Sequence, residues 1–387
     1  MYFIDWLRIL AVLLLFPFHT LRVFDEADPF YAKASPVSVW VGEVLRFISV
    51  WHMPLLFFLA GCSTYYALRK RSGGQYAWER VKRLLVPLVF GILILIPPQT
   101  WYGGRFNSGY TGSYGHYLVS GDFMRWNVQD GGDYFGGFGI GQLWFIMFLL
   151  FISLVALPLV VWGARGRGVS RMQAFCRRLA HPAWWLLAIV ILFVGGLAPG
   201  IPGGPFVFYL FVFILGFIAV SDPKFVESAE RYRIPALAVG VGLTLFWVLS
   251  TDFRESFPDP SWQLAGLEFG GMIATWLMLM GMLGFGKRYL ERTSRVQKYL
   301  AEGSYPVYIL HQTVIVIIGF YVIRLAAPRP VLWVLLLVAA VAGTFALYEI
   351  VRRVGPLRFL FGMRQCRRAP RAVSVQGCDA TEQGLTK

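Results

Sequence analysis

Long apolar runs recur along the whole sequence, each bounded by charge or by Gly/Pro clusters and each near the roughly 20 residues that a helix needs to cross a bilayer core. They cover residues 4–24, 40–66, 84–101, 142–162, 183–199, 205–220, 235–250, 268–286, 305–325 and 331–351. Hydrocarbon offers backbone groups no water to bond, so such runs fold as helices that close their own hydrogen bonds. The 387 residues are 57% hydrophobic and 15% charged, against about 25% charge in a soluble domain. Mean hydropathy is +0.58. The expected fold class is all-α, a polytopic membrane protein with about ten transmembrane helices. The runs 183–199 and 205–220 are parted only by GIPGG and could instead form one re-entrant pair.

Basic residues give the runs a direction. The loops 69–83, 163–182, 221–234 and 287–304 and the tail from 352 each hold at least three Lys or Arg; the intervening loops hold only Lys33, Arg105, Arg125, Arg254, Arg324 and Arg329. By the positive-inside rule this alternation puts both termini in the cytoplasm. It also accounts for the net charge of +15 as topogenic, so a nucleic-acid partner is not expected. Cys62, Cys176, Cys366 and Cys378 form no CxxC pair and no zinc-ligand spacing, so neither a disulfide framework nor a metal site is expected. The first run has no basic n-region and no small-x-small site after it, and is expected to stay in the mature protein.

Two segments fall outside the apolar pattern. Residues 102–141 are rich in Gly, Tyr, Phe and Asp and lie outside on this topology; a stretch of this length without strong periodicity is a functional lid or a linker, and the aromatics favour a folded lid. The GFGIG run at its end is not a dinucleotide fingerprint, because no strand precedes it and a span follows. The tail 363–387 is polar and basic and is expected to be disordered.

Ionisable residues inside spans are costly, about 2.5–3.5 kcal/mol for a central Arg, and so mark function. Arg8 and His19 in the first run lie eleven residues apart, close to three turns, which puts them on one face about 16 Å apart along the axis. An imidazole of ordinary pKa about 6.5 can take and return a proton as a general base for an alcohol must. Pro17 bends the helix beside it. Arg80 and Arg83, at i and i+3 where the third span begins, suit phosphate oxygens, or else serve as snorkelling topogenic charge. Ser304, Tyr308 and His311 form one helical stripe that either lines a polar cavity or bonds neighbouring helices. Glu43 and Arg46 form an expected ion pair, with His52 about 180° from Glu43. Glu349 has no evident partner, and Trp144 reads as an interface aromatic.

Over residues 2–350 the sequence resembles the acyltransferase-3 family of membrane acyltransferases, which includes polysaccharide O-acetyltransferases and the periplasmic glucan succinyltransferase. FIDWLRILAVLLLFPFHT carries the family's Arg-x10-His as Arg8 and His19, and MPLLFFLAG at 53–61 is similar to its second-span ending. Arg80-x-x-Arg83 is similar to its Arg-x-x-Arg, and LWFI at 143–146 and SYPVYILHQ at 304–312 resemble later signatures. The resemblance implies a plasma (inner) membrane enzyme of residues 1–362 that takes an acyl group, acetyl or alternatively succinyl, from cytoplasmic acyl-CoA. Arg80, Arg83 and Arg8 would hold the donor phosphates. His19 would activate a hydroxyl of a carbohydrate or glycolipid acceptor, or help to pass the acyl group across. Glu43, Tyr308 and His311 are its candidate proton partners, with Trp144 and Ser304 in support. Loop 102–141 is expected to aid acceptor selection. Some family members carry a fused extracellular domain; none is expected after Glu349 here. The competing reading is a ten-span secondary transporter or exporter, for which inverted repeats would speak; none is evident. An inactive membrane scaffold is a third reading, opposed by the presence of every motif residue.

Overall fold

The computed structural model describes residues 1–124, 132–200 and 204–363; the tail expectation for 363–387 falls almost wholly outside them. Described residues form helices and turns, with a single isolated bridge between Asp25 and Ser38 and no strand. In chain order the principal helices are α1 (Tyr2–Leu21), α2 (Val39–Leu68), α3 (Gly73–Asn107), α4 (Trp144–Val155), α5 (Leu157–Gly163), α6 (Gly166–Leu179) and α7 (Trp185–Gly196). They continue with α8 (Phe206–Ala219), α9 (Pro223–Arg231), α10 (Arg233–Leu249), α11 (Trp262–Tyr289), α12 (Arg295–Val322) and α13 (Arg329–Arg353). The chain is an all-α polytopic membrane protein.

Six of these helices are long and apolar enough to cross a membrane, and nine spans result if each of three bent pairs counts as one. The pairs bend by 57° before α5, 104° after α6 and 102° before α9. Arg233–Leu249 is a shorter apolar helix at the position of the seventh expected run. The two runs flanking GIPGG are separate helices, α7 and α8.

Several helices begin well before their apolar runs. α3 starts at Gly73 rather than 84, and α12 at Arg295 rather than 305. The physical reason is capping. Ser72 accepts from the Gln75 N–H (3.1 Å) while Gln75 returns a bond to Ser72 N, and Ser294 accepts from the Gln297 N–H (3.0 Å). A serine cap satisfies otherwise unpaired N–H groups in water, so the helix starts there and turns apolar only later.

α12 is the most enclosed candidate span, with 78% of its apolar window buried, whereas α13 has 28% and lines the periphery. α1 packs against both α12 and α2. α2 crosses α8 at glycines: a Cβ on Gly61 would lie 2.0 Å from the Phe213 carbonyl oxygen, and one on Gly216 2.0 Å from that of Phe58. The Cys62 thiol donates to Gly216 O across this crossing (3.1 Å). Such small-residue contacts let backbones approach where lipid supplies no hydrophobic drive between helices.

The described part of segment 102–141 is folded. α3 runs on to Asn107, whose amide donates to Phe30 O (2.9 Å) and Tyr134 O (2.7 Å). The short helix Tyr114–Val119 presents Tyr117, whose hydroxyl donates to Gly136 O and lies 2.8 Å from the Thr100 hydroxyl. Tyr31 donates to Asp133 Oδ2 (2.6 Å) and meets the Tyr134 ring edge-on at 4.8 Å.

Candidate active site

α1 and α12 bring His19 and His311 together, with ring centroids 5.1 Å apart at 47°. Phe30, from the α1–α2 connection, stacks nearly parallel to His19 at 6.4 Å, and Phe16 meets His311 edge-on at 6.1 Å. The pair therefore sits in an aromatic wall. His311 Nδ1 lies 2.5 Å from Tyr308 O. A carbonyl only accepts, so in the neutral ring Nδ1 carries the proton and Nε2 is a bare lone pair. That Nε2 is buried with no hydrogen-bond partner, and so is His19 Nδ1. His311 is buried and His19 is partly exposed as a residue, with its Nδ1 buried. Buried polar atoms of this kind cost about 1–3 kcal/mol each and are rare in native proteins.

The third histidine near α1 has a different part. His52 Nε2 donates to Ala11 O (2.7 Å), which pins α2 to the middle of α1. Its ring stacks on Phe18 at 6.2 Å.

Toward the other end of α1, two arginines flank α2 at adjacent residues. Arg8 donates to Ser63 Oγ (2.7 Å) and pairs with Asp5 (3.2 Å). Arg80 donates to Thr64 Oγ1 (3.1 Å), a hydroxyl that also lies 2.9 Å from Tyr76 OH, and its guanidinium sits 4.9 Å over the Tyr76 ring. Both arginines are held by neutral hydroxyls and keep some solvent exposure. Arg80 and Arg83 do not share a plain α-helical face as their spacing predicts: Val81–Leu85 is a π turn. The wider turn rotates Arg83 relative to Arg80, and the Arg83 carbonyl accepts from Tyr305 on α12 (3.0 Å). Single π turns concentrate at functional sites.

The stripe Ser304, Tyr308, His311 divides. Tyr308 packs against His311 at 5.7 Å and donates to Gln142 O, whereas Ser304 returns its hydroxyl to Leu300 O of its own helix (2.7 Å). Glu43 sits in the first turns of α2, bound to Arg46 at 2.7 Å through Oε1, with its Oε2 buried and without a hydrogen-bond partner. Trp144, partly exposed at the start of α4, packs against Phe57, Phe148 and Tyr209. Glu349 pairs with Arg352 (3.5 Å) and Arg353 (3.1 Å) on its own helix. Among the described residues no cluster of three or more His, Cys, Asp or Glu could hold a metal.

Sequence reading missed a buried amide network one residue from His311. Gln99 donates to Thr313 Oγ1 (2.8 Å) and lies 3.2 Å from Gln142 Oε1, while Gln312 donates to Gln99 Oε1 (3.2 Å) and Gln142 donates to Ile309 O (2.9 Å). The signal was available as three glutamines inside apolar spans, each of which needs a partner. The network ties α3 and the start of α4 to α12, and so fixes the turn that carries His311.

Residues 1–349 match the acyltransferase domain that defines one family. The chain belongs to the acyltransferase-3 family. It is a multi-pass membrane acyltransferase that transfers groups other than amino-acyl groups. This acyltransferase is similar to the Glucans biosynthesis protein C of Salmonella typhimurium strain LT2, 23% identical over 394 residues that cover 96% of this chain and 97% of that protein. The protein of the same name from Salmonella typhi is 22% identical over 382 residues, covering 93% and 94%. No solved structure matches it.

Proposed function

We propose that this acyltransferase lies in the plasma (inner) membrane with both termini cytoplasmic and moves an acyl group from cytoplasmic acyl-CoA to a hydroxyl of an envelope carbohydrate. Acetyl is the first donor to test and succinyl the second; a glucan is the first acceptor, from the name its relatives carry. The observation that carries the reading is the His19–His311 pair, ring centroids 5.1 Å apart, with a buried, unpartnered nitrogen on each ring. When His19 carries its proton on Nδ1 and directs it toward the bare Nε2 of His311, its Nε2 is left free as the base. Tyr308 holds His311 in the tautomer this requires.

In the reaction the acceptor oxygen attacks the thioester carbonyl as His19 takes the hydroxyl proton. The new C–O bond forms, the C–S bond breaks, and the proton passes to the departing thiolate. Arg8, Arg80 and Arg83 hold donor phosphates at the cytoplasmic end, where the first two need only leave neutral hydroxyls and a partly exposed Asp5 to meet an anion. The described part of segment 102–141 borders the acceptor side through Phe30, Tyr31 and Tyr134 and selects the acceptor.

The test is transfer by purified protein in proteoliposomes, with labelled acetyl-CoA and succinyl-CoA offered separately with glucan. Mass spectrometry of the glucan then identifies the added group. Acceptor flux without any acyl product would instead support a transporter.

A further inference from the structure

We infer that the recess between the ends of α2, α3 and α5 binds the phosphate headgroup of an anionic phospholipid. The recess has a volume of about 420 Å³ and is walled by Arg69, Lys70, Arg71 and Arg165, with Ser72 and Gln75 beside them. It is a built feature and not a scatter of surface charge. The Arg165 guanidinium donates to Arg71 O (3.0 Å), Arg71 pairs with Glu79 (3.0 Å), and the first turn of α3 meets α5 so closely that a Cβ on Gly73 would touch Val161 at 3.0 Å. Only Arg71 of the four cations has a carboxylate partner among the described residues.

Its setting specifies a lipid. Leu68 and Ala164, the last apolar positions of two spans, form part of the lining, so the recess sits where hydrocarbon gives way to headgroups. Trp78, three residues beyond Gln75 on α3, and Trp162, two residues before Ala164 on α5, are 61% and 44% exposed, as expected of indoles at the interface. Below it on α5, Leu159 is 40% exposed and offers an apolar surface for an acyl chain. A phosphodiester in the recess would meet three unpaired cations at the depth where a bilayer presents it, on the side proposed as cytoplasmic. The recess contains none of Arg8, Arg80 or Arg83.

The experiment is native mass spectrometry of the purified full chain with phosphatidylglycerol and, separately, phosphatidylcholine. Wild type retains phosphatidylglycerol preferentially, and the retention weakens with salt. Replacement of Arg69, Lys70 and Arg165 by Gln removes the preference, with about a fivefold loss per cation. A charge-matched control, Arg171→Gln, Arg178→Gln and Lys224→Gln, keeps it. Should the triple variant fail to fold, Lys70→Gln alone carries the test with the same expected fivefold loss. The proposal is overturned if the recess variants keep the wild-type preference, if the control loses it equally, or if acetyl-CoA displaces the lipid from wild type, which would assign the recess to a nucleotide phosphate.

Discussion

The two ends of α1 carry polar residues under opposite conditions. At the Arg8 end, hydrogen bonding is satisfied: Ser63 and Thr64 each receive a guanidinium, and Asp5 adds an ion pair. At the His19 end it is not, for His19 Nδ1 and His311 Nε2 are buried without partners. Satisfied, partly exposed cations can bind an anion by exchanging weak neutral partners for charge-assisted ones. Unsatisfied imidazole nitrogens carry a folding cost that a role in proton handling would offset. On the proposed reading, charge recognition falls to one end of the helix and proton transfer to the other, with Arg8 and His19 about 16 Å apart along its axis.

The largest effect should come from the histidine end. His19→Ala removes the base and should lower the transfer rate by about 10²–10⁴, the usual worth of general-base catalysis, while the protein stays folded in the membrane. His311→Gln keeps an amide that can donate to Tyr308 O but cannot take a proton; a loss of about 10² in kcat, with little change in donor KM, would mark His311 as the residue that positions His19. An unchanged kcat would dissolve the pair. The arginine end should behave differently. Arg80→Ala should raise donor KM about tenfold, since a charge-assisted bond is worth about 1.5–3 kcal/mol, and leave kcat within a fewfold. A kcat loss matching that of His19→Ala would erase the contrast.

A structural change should affect both ends together. Gly216→Ala forces a Cβ to within 2.0 Å of Phe58 O and should cost about 1–3 kcal/mol or more through displacement of α2. Thermal unfolding in detergent measures this, and Arg8 and His52 contacts should loosen together.

The smallest effect concerns the acceptor side. Burial pushes the Asp133 carboxyl above its ordinary range, opposed by the Tyr31 hydrogen bond. The folded state therefore holds its proton to higher pH than the unfolded chain. Local stability should be greatest below the ordinary carboxylate pKa and decline as pH rises through the raised value. Hydrogen exchange of residues 132–141, corrected for intrinsic rates, should show this decline, and Asp133→Asn should abolish it without loss at neutral pH.

Much of this was legible in the sequence, for identifiable reasons. Long apolar runs and alternating charge specify membrane helices because lipid leaves the chain no other choice. The Arg8/His19 spacing was readable because a helix fixes side-chain direction. His311 was recognisable as a candidate, but not its proximity to His19, which depends on how α1 packs against α12. Arg80 and Arg83 were read as sharing a face because a π turn has no reliable sequence mark. The aromatic neighbours of Trp144, Phe57 and Tyr209, were not legible because they come from other helices. Helix starts were placed too late wherever a serine cap precedes the apolar stretch, as at Ser72 and Ser294.

The division of labour along α1 is tested most directly by equilibrium binding of labelled acetyl-CoA to purified His19→Ala protein, measured beside its transfer activity. The account predicts wild-type donor affinity with transfer lost. Loss of donor binding together with transfer, or transfer at the wild-type rate, would contradict it.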